Sequence, residues 1–337
     1  MGRRSQGLRI ITWALAAGVL AAALIAAAAW RWLSQPLALR APTVELSIEP
    51  GTPPRAVAQA WVDAGVDTGP ELLYQWFRWS GDARRIRAGS YEVEPGITPR
   101  MLLDKMVQGR ETLESVRLPE GATLRQWRAA LAAAPHLKPA SAGLDDAALM
   151  AAVGMPGAWA EGRFFPDTYA YSRGVSDLTV LKRAHAAMQR HLAATWAARA
   201  PDSPLKTPDD ALILASIVEK ETGRADERGL VAGVFVNRLR IGMPLQTDPT
   251  VIYGLGESFD GNLRKRDLLA DGPYNTYQRG GLPPTPISMP SLAALRAVVN
   301  PAPTKALYFV ARGDGSSQFS NNLDDHNRAV NKFQRGQ

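Results

Sequence analysis

Two carboxylates close a nearly all-apolar run, Ala211–Thr222 (ALILASIVEKET). The run predicts a buried helix, and a charge at the end of such a helix is costly unless it is paired or used. Residues 219 and 221 lie about 200° apart on a helix, so Glu219 and Glu221 cannot both face one cleft. Glu221 follows Leu214, Ile217 and Val218 at i+7, i+4 and i+3, whereas Glu219 follows Leu212, Ala215 and Ser216. The bulkier stripe leads to Glu221. Desolvation should therefore act more on Glu221 and raise its pKa, which is what a general acid at neutral pH needs. In the alternative reading both glutamates pair with Lys220, Arg224 or Arg228 on a solvated helix end.

Polar groups follow in turn-rich segments, LQTDPTVIYG (Leu245–Gly254) and YNTY (Tyr274–Tyr277). Gln246, Thr247, Asp248, Tyr253, Asn275, Thr276 and Tyr277 supply donors and acceptors among Pro, Gly and Tyr, a composition suited to a sugar-binding cleft. Tyr rings stack on the apolar faces of sugars while their hydroxyls hydrogen-bond. Asp248 precedes Pro249, so it equally suits a helix start. His326 could face the same cleft or be structural.

Composition narrows the chemistry. The chain has 337 residues, enough for two or more domains. It has no Cys, which excludes disulfides, Cys-ligated zinc and thiol nucleophiles. Its four His are scattered and form no HExxH, so a His-rich metal site is not expected. The net charge of +7 fits affinity for an anionic polymer or a membrane surface, or simply an Arg-rich composition. No clustered basic stripe supports nucleic-acid binding.

The elements that position these residues are also legible. Ile10–Trp30 carries no charge and is long enough to span a bilayer. Arg3, Arg4 and Arg9 precede it, so the positive-inside rule places residues 1–9 in the cytoplasm and the remainder outside the inner membrane. A cleaved signal peptide is the alternative, but the apolar core exceeds the usual signal length. The expected organisation is a transmembrane helix over 10–32, a linker over 33–43, a small module over 44–110 and a catalytic domain over 111–337. Three similar units, starting at Val44, Ser90 and Glu114, each read as strand, Gly turn, Thr and helix. Thr52, Thr98 and Thr123 are the expected N-caps. The order β-α-α-β through Val44–Glu94 suits a LysM-like α/β module or a plain spacer. TPDD (Thr207–Asp210) predicts the start of the apolar helix. Further helices are expected over Leu124–Ala134, Asp145–Val153, Asp177–Ala200, Gly229–Ile241, Ser291–Val299 and Asp324–Gln334, with a strand over Ala306–Arg312. The fold class is α+β.

Several runs are specific enough to resemble one family: EGRFFPDTY, ASIVEKET, ERGLVAGVFVNRLRIGMPLQTDPTVIYG, YNTY with GLPPTPIS, and ALYFVARGDGSSQFSNNLDDHN. They resemble the endolytic murein transglycosylases, the YceG-like membrane-bound lytic transglycosylases. The match spans nearly the whole chain and is weakest over Pro135–Pro156. The resemblance implies a mixed α+β catalytic domain with a lysozyme-like helical active site. It places the catalytic acid/base on Glu221, in agreement with the helical-face argument. It also implies glycan-cleft roles for Glu161, Gln246, Asp248, Asn275 and Tyr277. The implied substrate is the bond between N-acetylmuramic acid and N-acetylglucosamine in nascent peptidoglycan, cut to 1,6-anhydro ends without metal or cofactor. The implied partners are peptidoglycan glycan strands, the inner membrane and peptidoglycan synthases, with the catalytic domain periplasmic. A muramidase and a non-enzymatic wall-binding scaffold are the competing expectations.

Overall fold

The computed structural model describes residues 2–335, with side chains from Trp13 onward except Ala14. The flanking Arg3, Arg4 and Arg9 therefore lie outside the described side chains. The first helix, α1 (Gly2–Ser34), contains a stretch, Leu15–Ser34, of mean hydropathy 1.6 with none of it buried. That stretch is long and apolar enough to cross a membrane, a property shared by anchors and signal sequences. The chain is a mixed α+β protein of two compact units, Met1–Glu114 with Ser172–Gly174, and Ser115–Tyr171 with Val175–Gln337.

In the first unit β1 (Ala38–Leu39) pairs with β3 (Val66–Asp67). Strand β2 (Val44–Ile48) pairs antiparallel with β4 (Gly89–Val93), Val44 opposite Val93. Helices α2 (Pro54–Ala64) and α3 (Pro70–Trp79) lie between them in sequence, and α4 (Pro99–Gln108) follows. Alternation on β2 and β4 and the apolar faces of the helices bury Trp61, Phe77, Tyr91, Leu102 and Met106 in one core. The indole of Trp61, which needs a partner once buried, donates to Met106 Sδ at 3.2 Å. Thr98 caps α4 as expected, accepting from Met101 N. Thr52 does not cap α2. The cap position falls on Pro53, held extended at φ −63°, ψ 144° because Pro54 follows it. The Thr52 hydroxyl instead donates to the Glu49 carbonyl at 2.8 Å.

In the second unit β5 (Leu113–Leu118) pairs with β6 (Asp167–Ser172). The third of the similar sequence units thus takes a partner outside the other two. Helices α5 (Leu124–Ala133), α6 (Asp146–Val153) and α7 (Asp177–Ala197) surround one apolar cluster that includes Trp127, Leu149, Phe164 and Leu181. Thr123 forms a capping box with Gln126 at the start of α5.

A second cluster is built on α8 (Pro208–Glu221). Residues Ala211 to Val218 are all buried, the pattern of a helix enclosed on every side. Its neighbours are α7, α9 (Arg228–Arg240), α10 (Asp248–Leu255) and α12 (Leu292–Val299). Thr207 and Asp210 close a capping box, and Pro208 occupies the first helical position. A short α11 (Lys265–Leu269) precedes the loop carrying Tyr274–Tyr277. A hairpin of β7 (Tyr308–Ala311) and β8 (Ser317–Ser320) and helix α13 (Leu323–Val330) complete the unit.

Gly233 shows how tightly α9 is packed. A Cβ there would stand 2.6 Å from Thr304 Cγ2 and 3.0 Å from the Ala302 carbonyl. Gly to Ala in a helix interior ordinarily stabilises, by up to about 1 kcal/mol. Here overpacking should win, and Gly233→Ala should destabilise by about 1–3 kcal/mol. A chemical-denaturation midpoint at or above wild type would contradict this packing.

Candidate active site

Glu221 is the last residue of α8 and is partly buried. Thr247, the N-cap residue of α10, donates its hydroxyl to Glu221 Oε1. Burial is the main influence on the Glu221 carboxyl and raises its pKa; the Thr247 hydrogen bond opposes this, the Asp248 charge adds to it, and Arg238 opposes it. Glu219 points elsewhere. Its carboxylate accepts from Ser291 N at 2.9 Å and Ser291 Oγ at 2.5 Å, at the start of α12. The two glutamates thus diverge, as helix geometry requires.

A closed set of hydroxyls fixes Thr247. Thr250 Oγ1 donates to the Thr247 carbonyl at 2.8 Å, and the Thr247 N–H donates to Thr276 Oγ1 at 3.1 Å. The 2.9 Å contact between Thr250 and Thr276 must then be donated by Thr276, since the Thr250 proton is already committed. The Gln246 N–H donates to the Thr276 carbonyl at 3.0 Å. These bonds leave the Thr247 hydroxyl proton free for Glu221.

Gln246 and Asp248 flank that threonine and are exposed. Gln246 sits at φ 51°, a left-handed conformation unusual for a non-glycine residue. Its Oε1 accepts a long contact, 3.5 Å, from Arg238 Nη1. Asp248 Oδ1 accepts from Tyr277 OH at 2.6 Å. Burial raises the Tyr277 pKa and the charges of Asp248 and Glu221 raise it further, so this phenol stays a proton donor. Glu221, Gln246, Asp248 and Tyr277 therefore form one cluster. Asn275 stands behind it. Its amide nitrogen donates to the carbonyls of Asp267, Leu268 and Ala270, and its oxygen accepts from Tyr277 N at 2.9 Å. Every polar atom of that side chain is spent on backbone, of α11 and of the loop that follows it.

Glu161 belongs to the other end of α10. It is 7% exposed and accepts from Leu124 N at 3.1 Å and from Tyr253 OH at 3.3 Å. Burial pushes its carboxyl up to about 7, against the hydrogen bonds from Leu124, Tyr253 and Gly162. Gly162 is required beside it: at φ 78° an added Cβ would stand 2.5 Å from Pro286. Glu161, Tyr253 and Tyr274 line a cleft of about 950 Å³. Glu221 does not line it, but Lys220 and Pro249, sequence neighbours of Glu221 and Asp248, do. Residues 247 and 253 are separated by roughly 9 Å along α10, which sets the scale between the two carboxyl sites.

A profile of the YceG-like family matches residues 46–332. The chain belongs to the YceG-like family. It is similar to the endolytic murein transglycosylase of Bacillus subtilis (strain 168), 30% identical over 308 residues that cover 86% of this chain and 85% of that protein. The endolytic murein transglycosylase of Streptococcus pneumoniae serotype 2 is 35% identical over 175 residues, 50% of this chain and 31% of the pneumococcal protein. A crystal structure of a YceG-like protein from Listeria monocytogenes matches with TM-score 0.53 and 27% identity, covering 85% of this chain and 98% of that one.

In this YceG-like protein one site residue lies outside the motif reading. Arg238 is buried on α9, with Nε donating to the Leu307 carbonyl and Nη1 to the Leu245 carbonyl, both at 2.7 Å. Its guanidinium lies 5.1 Å from the Tyr308 ring centroid, and His326 stacks on Tyr308 at 5.0 Å. The signal was present in VAGVFVNRLR: Arg238 falls seven residues after Val231, on the apolar face, where a cation needs a reason.

Two titrations test these environments. Glu161 prefers its neutral form when folded, so the native state holds a proton that the unfolded chain releases between the ordinary 4.5 and about 7. Its contribution to stability is present below 4.5, is lost as pH rises to about 7, and is flat above; the full span is on the order of 3 kcal/mol. Glu161→Gln should lack this slope when unfolding free energies are compared from pH 4 to about 8. For Glu221, removing the donor (Thr247→Val) should raise the titration midpoint, and removing the neighbouring charge (Asp248→Asn) should lower it. Carboxyl ¹³C NMR reads both, and movement in the same direction would refute the assignment of causes.

Proposed function

We propose that this protein is a membrane-anchored endolytic peptidoglycan lytic transglycosylase, with Glu221 as its one acid/base. The observation that carries the reading is a carboxyl held at the end of an enclosed helix. Burial favours its protonated form, while Thr247 and Arg238 favour the charge left when the proton departs. Thr247 occupies Oε1, leaving Oε2 to carry the proton.

In the proposed reaction Glu221 protonates the glycosidic oxygen between N-acetylmuramic acid and N-acetylglucosamine, and that C–O bond breaks. The carboxylate then takes the proton from the muramic C6 hydroxyl as its oxygen bonds to the anomeric carbon. The products are a 1,6-anhydro end and a free hydroxyl, and the acid is regenerated with no water consumed. Gln246, Asp248 and Tyr277 are proposed to hold sugar next to Glu221, Glu161 to hold it in the adjoining cleft, and Asn275 to act through the loop that presents Tyr277. The antiparallel pair β2–β4, with α2 and α3 between its strands in sequence and the short β3 paired outside it to β1, supports reading residues 44–110 as a LysM-like glycan-binding module ahead of a catalytic domain over 111–337. With α1 spanning the inner membrane and residues 1–9 cytoplasmic, cutting falls on nascent strands at the membrane-proximal face of the periplasm, beside the polymerising synthases, and limits strand length.

A muramidase is the second reading, favoured by one observation: the Asp248 carboxylate is close enough to act on Glu221, and hydrolysis ordinarily uses two carboxylates. Mass spectrometry of products from uncrosslinked glycan separates anhydro from reducing ends. On the transglycosylase reading wild type releases anhydro ends, and Glu221→Gln loses about 10²–10⁴-fold or more in rate while remaining folded. Glu219→Gln should retain most of the rate, because that carboxylate is committed to Ser291. Full activity in Glu221→Gln would remove α8 from the chemistry.

A further inference from the structure

The first unit offers no slack between α1 and its folded body. Helix α1 ends at Ser34, and Leu37 already donates its N–H to the Ile97 carbonyl at 2.8 Å. Three residues reach about 10 Å at most. The join is also stacked: the Arg100 guanidinium lies 4.9 Å from the Trp30 ring centroid, and Trp32 packs on the core of the unit. On the reading that α1 crosses a bilayer, some face of this unit must meet the lipid surface.

One face is built for that contact. Leu72, Trp76 and Trp79 form a single stripe on α3, at i, i+4 and i+7. Trp79 is 77% exposed, and Leu72, Trp30 and Met101 are each more than half exposed. The stripe is tied to the helix junction, because Trp76 Nε1 donates to the Pro99 carbonyl at 3.1 Å, next to Arg100 and Met101. Arg31, Arg78, Arg84 and Arg100 form no ion pair among the described residues, whereas Glu71 and Asp82 are already paired with Arg55 and Arg85. Exposed indoles with unpaired arginines match the headgroup zone of an anionic bilayer, where Trp is favoured and basic side chains meet phosphate.

We infer that the first unit docks on the phospholipid surface through this face, with Trp79 and Leu72 among the headgroups and Arg78, Arg84 and Arg100 on their phosphates. The inference rests on the membrane-anchored reading. It adds a second attachment, which fixes the orientation of the unit rather than only its distance from the membrane. A glycan or protein occupant would leave the same face outside the lipid.

The chain has no native cysteine, so single substitutions give single spin labels. The full chain is reconstituted in phosphatidylethanolamine–phosphatidylglycerol vesicles, with labels at Trp79→Cys, Leu72→Cys (which keeps Trp79), Leu20→Cys in α1, and Gln108→Cys as control. Gln108 ends α4, about 12 Å along the helix from Arg100. Relaxation by oxygen relative to a water-soluble nickel chelate should be several-fold higher at 79, 72 and 20 than at 108. Labels at 79 and 72 that match 108 while 20 remains immersed would overturn the docking face and leave the anchor standing. A water-accessible label at 20 would overturn the anchor and the docking face together.

Discussion

Desolvation of one carboxyl group governs the second unit. A carboxylate at the end of an enclosed helix is unfavourable unless something receives its charge. The residues near Glu221 meet that requirement in graded form: one hydroxyl in contact, one buried guanidinium further off, and a neighbouring acid that works against ionisation. Enclosure of α8 by α7, α9, α10 and α12 is thus also what tunes its last side chain. Packing and proton affinity cannot be varied independently here, since loosening the helices would hydrate the acid and return it toward ordinary behaviour.

The same logic gives α10 its place. Its N-cap threonine touches Glu221 and its Tyr253 touches Glu161, so one eight-residue helix references both carboxyl groups. The hydroxyls of Thr250 and Thr276, closed through the Thr247 backbone, hold this helix to the Tyr274–Tyr277 loop, which Asn275 in turn clamps to carbonyls of α11 and of Ala270 after it. Much of the polar chemistry around the site therefore serves positioning.

The divergence of Glu219 from Glu221 was legible from helix geometry, and so was the burial that raises the pKa of the latter, although α8 is buried on every side rather than along one stripe. Helix starts at Thr98, Thr123 and Thr207 were legible because capping is local. Thr52 misled because two successive prolines moved the start of α2 by one residue. The commitment of Asn275 to backbone carbonyls was not legible, because an amide in a turn-rich segment looks alike whether it faces solvent or its own loop. Arg238 was legible only as a cation placed on the apolar face of its helix. Its partners, the carbonyls of Leu245 and Leu307, belong to backbone far apart in sequence and carry no sequence signature.

The bond from Arg238 to the Leu307 carbonyl ties the surroundings of Glu221 to residues far along the chain. Leu307 is itself secured by donating its N–H to the Ser320 carbonyl at 3.0 Å. A cation that opposes the rise in the Glu221 pKa is thus held in part by the β7–β8 hairpin. Loosening that hairpin would reach the carboxyl through the guanidinium, a remote lever on proton affinity that lies outside the helices enclosing α8.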